Sequence, residues 1–153
     1  MGTLFNVDGS QAQPPGGTIK AGSAMITPEG GFAVYLKNDM VTPIVKGYCV
    51  RPSTVSDDGV VYAASGEINP IGFVYDATIA AGAYGWIVVA GRCQVYVNAA
   101  GTRGQWISME GSGVPGQVLP APAPGSVAIH FEECGHLIQT VSSGLAFAII
   151  HFN

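Results

Sequence analysis

The sequence predicts an all-β fold: a compact barrel or sandwich-like single domain at 24–153, with an extended N-terminal arm at 1–23 and long Gly/Pro-rich loops. Three observations predict it. Short apolar and aromatic runs recur at close spacing, as strands do. Turn formers cut between them: 22 Gly and 10 Pro make up roughly a fifth of the chain, against about an eighth in average proteins. No segment carries a convincing i, i+3, i+4 apolar stripe over ten residues. At 153 residues and 48% hydrophobic the chain has the size of one domain and enough apolar surface for a packed core.

The elements follow in order. Residues 1–23 are polar and centre on Pro14-Pro15-Gly16-Gly17, which reads as an arm or tail. Phe32–Leu36 is a first strand, and Pro43–Val50, with Ile44, Val45, Tyr48 and Cys49, a second. Val55-Ser56-Asp57-Asp58-Gly59 is a turn before a strand at Val60–Tyr62, and Asn69-Pro70 a turn before Ile71–Tyr75. Ala77–Ala83 has the length of one helical turn, with Gly82 arguing against more. Residues 85–97 read as a hairpin turning at Gly91-Arg92, because a fully apolar run precedes that pair and an alternating run follows it. Gln105–Ser108 and Ser126–Phe131 are short strands. Residues 136–140 and 145–152 form a closing pair turning at Ser142-Ser143-Gly144, with Phe147, Ile149 and His151 on one face. Residues 111–125, GSGVPGQVLPAPAPG, read as a long surface loop of the kind that carries function.

Composition narrows the function classes. The formal charge is −4 and the six Lys and Arg are scattered, so the clustered cations that neutralise nucleic-acid phosphates are missing. Only 10% of residues are charged, against about 25% usually, which suits a surface covered by a partner or by further copies of the chain. Cys49, Cys93 and Cys134 are odd in number and widely spaced, without a CxxC, so they read as buried thiols rather than a disulfide framework. Met1–Asn6 has no basic region leading into an apolar core, so no signal peptide is expected. The apolar stretches fall well short of about 18 residues, so no membrane-spanning segment is expected either.

Residues 130–136 hold the densest metal-capable group. In a regular strand His130, Glu132, Cys134 and His136 share one face and could ligate an ion. The spacing matches no zinc motif, so the favoured reading is structural, with hydrogen-bonded rings, solvated carboxylates and no cofactor. Cys134 with His130 or His136 is conceivable as a nucleophile and base, but no GxSxG elbow or phosphate-binding loop accompanies it. Asp57-Asp58 beside Gly59 reads as a turn rather than a catalytic pair. A nucleotide hydrolase resembling dUTPase fits in length and Gly content, but its Arg-Ser-Ser segment and Arg-bearing Gly-rich tail have no counterpart. No enzyme activity is expected.

An ordered series of segments over 44–153 resembles the capsid decoration, or cement, proteins of tailed bacteriophages. The segments are Lys46–Val50, Asn69–Tyr75, Ala81-Gly82 with Trp86–Val95, Thr102–Ile107, His130–His136, and Gly144–Ala146 with Ile149–Phe152. The likeness lies in Gly and apolar placements and in their order. It implies a virion structural protein, assembled in the host cytoplasm, that lies on the capsid surface and staples neighbouring major capsid subunits, as a homo-oligomer such as a trimer. A rigid β core and many weak copies across capsomer junctions serve that role. Contacts are expected from the arm and the 111–125 loop, at Phe5, Pro14, Pro15, Val114, Leu119 and Pro122. The alternative is a glycan- or host-binding β module of a phage fibre or appendage. Aromatics on an exposed face favour that reading, because sugars stack on Trp and Tyr rings; the candidates Trp86 and Trp106 lie in apolar runs that favour the core.

Overall fold

The structure, a computed structural model, describes residues 19–67, 69–109, 113–121 and 133–152. These form strands and turns without a helix. The strands are β1 (Ala24–Ile26), β2 (Gly31–Asn38), β3 (Ile44–Val45), β4 (Cys49–Pro52), β5 (Gly59–Tyr62), β6 (Gly72–Val74), β7 (Thr78–Ile79), β8 (Tyr84–Val97), β9 (Trp106–Ser108), β10 (Leu119–Ala121), β11 (Glu133–Leu137) and β12 (Gly144–Ile150). The all-β expectation is met.

Ten strands make one mixed sheet in the order β1-β2-β5-β4-β6-β8-β12-β11-β9-β10, and β2 pairs with β8 as well. That extra pairing closes β2, β5, β4, β6 and β8 into a ring, antiparallel except at β2–β5. β3 and β7 form a separate two-stranded pair. Strands in the ring are buried on both faces. Ile44, Val50, Val60, Val74, Ile79 and Ile87 form one apolar cluster. From the other face Cys49, Phe73, Trp86 and Val88 join a larger cluster with Cys93, Val95, Val97, Ile107, Cys134, Leu137, Ala146, Ala148 and Ile150. This second cluster makes the molecule sandwich-like. Buried Asn38 needs no unpaired amide: its Nδ2 donates to the carbonyls of Thr42 (2.9 Å) and Ile79 (3.0 Å), and its Oδ1 accepts from Met40 N–H.

Three sequence expectations are corrected. Residues 85–97 are one continuous strand, not a hairpin. Its first half pairs with β2 and β6 and its second half, Gly91–Val97, with β12. A register shift sits where Phe32 and Ala33 face Ala90 and Val88, so Val89 is the extra residue of a bulge. Trp86 and Val88 therefore face the same cluster as Cys93, Val95 and Val97. Gly91, at φ +85°, absorbs the bend, and the change of period mimics a turn. Next, the run 43–50 is broken: β3 and β4 flank a turn at Lys46-Gly47. Third, the expected surface loop is exposed only at 113–115 among the described residues; 116–121 run through the fold. Val118 is fully buried, Gly116 takes the Cys49 N–H (2.6 Å) and gives its own N–H to Ala63 (2.8 Å), and β10 pairs with β9.

The closing pair forms, β11 antiparallel to β12. Residues 77–83 hold β7 rather than a helical turn. At the start of the described chain, Gly22 donates to Tyr35 O and Ser23 accepts from Tyr35 N–H, each at 2.8 Å, so residues 22–23 are fastened to β2. Ile19, also in the expected arm, packs against the larger apolar cluster; residues 1–18 and the expected strand at 126–131 lie outside the described residues.

Candidate functional site

The chemistry-bearing side chains collect on the outer face of β8, β12, β11 and β9. Alternation dictates which residues stand there. In β12, Ala146, Ala148 and Ile150 enter the core, so Leu145, Phe147 and Ile149 point outward. In β8 the outward set is Arg92, Gln94 and Tyr96. Cross-strand register lines up Arg92, Ile149, His136 and Trp106 as one row across four strands. Leu145 and Ile149 stay 41% and 40% exposed, an apolar edge on a chain with few charges. Phe147 lies under Arg92, whose guanidinium carbon is 4.5 Å from the ring centre. In the β1–β2 hairpin, Ile26 and Phe32 face each other and form a second exposed apolar pair.

At the far end of the row three rings meet. Trp106 and His136 have ring centres 3.7 Å apart, and Trp106 meets the His151 ring edge-on at 5.7 Å. His136 Nδ1 and His151 Nε2 stand 3.3 Å apart. Burial holds His136 below its ordinary pKa; neighbouring His151 pushes the same way, while the Glu133 carboxylate opposes. Both imidazoles are half-buried, open to water on one side.

The face-sharing expected of His130, Glu132, Cys134 and His136 does not hold where it can be followed. β11 carries a register shift against β9 between Glu133 and Gly135, and Gly135 has φ +140°. The bulge turns Cys134 into the core beside Cys49, while His136 stays outward. Cys134 and His136 are thus on opposite faces and cannot act as nucleophile and base. His130 and Glu132 lie outside the described residues. Among the described residues no three His, Cys, Asp or Glu side chains converge as an ion site. All three cysteines are buried and none forms a disulfide; burial pushes the Cys49 and Cys93 thiols well up, away from the reactive thiolate. Asp57 and Asp58 form the expected turn, and Asp58 accepts the Tyr84 hydroxyl at 2.6 Å.

Of the expected contact residues, Val114 is exposed and Leu119 half-buried on β10, at the end of the sheet order. Phe5, Pro14, Pro15 and Pro122 lie outside the described residues. Trp86 is core, and Trp106 is half-buried against the histidines. Sequence reasoning missed His151 as the partner of His136. The signal was present: a hairpin turning at 142–144 places His151 opposite Cys134, one diagonal step from His136.

No family model matches the chain, and no curated protein matches it. Among solved structures it is similar to the N base of head fiber gp8.5 of bacteriophage phi29, with a TM-score of 0.56 and 15% identity. The match covers 78% of this chain and 94% of that one. The likeness is one of fold.

Proposed function

We propose that this chain is a structural protein of a phage virion, a decoration protein that binds the outer shell as a homo-oligomer and bridges neighbouring major capsid subunits. The observation that carries the reading is the shared fold with the base of a phage head fiber over 78% of the chain. The ordered segments at 44–153, which resemble decoration proteins, point the same way. The outer face supplies a means: Leu145 and Ile149 are apolar contacts held on a rigid sheet, and Arg92 above Phe147 adds a polar rim. Many copies, each weakly bound, raise the cost of rupturing the shell. Of the two Trp candidates for the glycan-binding alternative, Trp86 is buried and Trp106 is half-buried against His136.

The test is size-exclusion chromatography with light scattering, alone and with purified shells of the major capsid protein. Co-elution at a fixed copy number and a raised shell melting temperature are expected. The double variant Leu145→Glu/Ile149→Glu, folded by circular dichroism, is expected to lose co-elution. A folded wild-type protein that ignores the shells overturns the reading.

A further inference from the structure

The His136 Nδ1 and His151 Nε2 atoms, 3.3 Å apart, meet the geometry of a long hydrogen bond and also that of two ligands on one ion. A straight N–H···N bond of this length would set the two ring centres about 5.6 Å apart, since the ring axes would be collinear. The ring centres are 5.2 Å apart, with the rings inclined at 48°, while the nitrogens are 3.3 Å apart. At least one ring is therefore turned off the line between the nitrogens. Two imidazoles on one tetrahedral ion, with metal–nitrogen bonds of about 2.1 Å, place their nitrogens about 3.4 Å and their ring centres about 5.3 Å apart. The pair matches that arrangement.

We propose that His136 Nδ1 and His151 Nε2 chelate a divalent transition-metal ion such as Zn²⁺, Ni²⁺ or Cu²⁺, with water completing the coordination. Imidazole suits these ions and not Mg²⁺ or Ca²⁺, which prefer oxygen. Strand pairing holds the two ligands: His136 stands opposite Ile149 in the β11–β12 ladder, and the His151 N–H donates to Cys134 O at 3.1 Å. Preorganisation of this kind lowers the entropy cost of binding. Both rings are half-buried, so the ion can be reached from solvent and keep its waters. The site takes His136 from the set that a regular strand suggests and adds His151, and it is independent of any role on a capsid.

The experiment uses the untagged full chain, stripped with a chelator and titrated separately with ZnCl₂, NiCl₂ and CuCl₂. Calorimetry is expected to show one equivalent bound, and Cu²⁺ to quench the fluorescence of Trp106, whose ring lies 3.7 Å from His136. His136→Gln and His151→Gln are each expected to weaken binding at least about tenfold, while His130→Gln leaves it unchanged. Because a variant can lose its fold, imidazole ¹⁵N resonances of the wild type are followed as well. Zn²⁺ should shift His136 Nδ1 and His151 Nε2. MgCl₂ should do nothing. Absence of saturable binding, binding that survives loss of both rings, or unmoved resonances at these two nitrogens would overturn the site and leave a bent hydrogen bond.

Discussion

Asp39 shows how one carboxylate fastens a turn. Its Oδ2 accepts the Ser56 hydroxyl at 2.6 Å and its Oδ1 pairs with Lys37 Nζ at 3.2 Å, so the end of β2 is tied to the turn that opens β5. The Ser56 hydrogen bond, aided by Ser53 and Lys37, holds the Asp39 carboxyl below its ordinary value of about 3.9. A depressed acid stabilises the fold above its unfolded pKa, and that contribution is lost as pH falls through the folded value. Ser56→Ala is therefore expected to be less stable than wild type near neutral pH. The gap should close as denaturant titrations are repeated at pH values falling below about 3.9. A gap that stayed constant down to pH 2 would remove Asp39 from the account. At this scale the sequence was partly legible. The Asp57-Asp58-Gly59 turn follows from local chemistry, because Asp and Gly tolerate the turn backbone. The Lys37–Asp39–Ser56 knot does not, since it joins residues that only the β2–β5 pairing brings together.

The elements behave as alternation predicts until a bulge intervenes. In β12 the two-residue period runs unbroken, and the in-and-out pattern of Ala146, Phe147, Ala148, Ile149 and Ile150 is readable directly. In β8 and β11 it is not, because an extra residue flips every later side chain to the other face. A sequence reader sees such a flip as a turn at Gly91, and in β11 misses it altogether. Gly135 is the hinge of the second case. A Cβ there would run into the backbone of Ile149 and Ile150, at a φ that side chains rarely adopt. Gly135→Ala is expected to cost at least about 1–3 kcal/mol in urea unfolding. It should also shift the His136 and Trp106 resonances, because the same bulge sets their placement. A variant as stable as wild type would show that β11 reaches the same face without the glycine.

Across the whole molecule, the two apolar clusters lie on opposite faces of shared strands: Ile87 and Val88 are neighbours in β8 yet belong to different clusters. Neither face can open without disturbing the other, so the described domain should unfold as one cooperative unit. Ile87→Ala in one cluster and Ile107→Ala in the other are each expected to cost about 2–5 kcal/mol. Both should lower one common midpoint, with fluorescence and circular dichroism tracing coincident curves. Two separated transitions would show that the ring and the outer sheet are independent.

By itself the sequence determined the fold class, the turns at Asp57-Asp58 and 142–143, the closing β11–β12 pair and a buried Trp86. Each of these depends on local periodicity, glycine and proline placement or apolar content, which act over a few neighbouring residues. Only the tertiary structure decided that 85–97 is one strand that pairs with β2 and β6 in its first half and β12 in its second, that β2 and β5 meet in parallel, that Val118 is core and that His136 faces His151 rather than Cys134. Those outcomes turn on where an extra residue is accommodated and on which distant strand fills an open edge. The chain settles both by packing two apolar clusters at once, a condition that no short window of sequence contains.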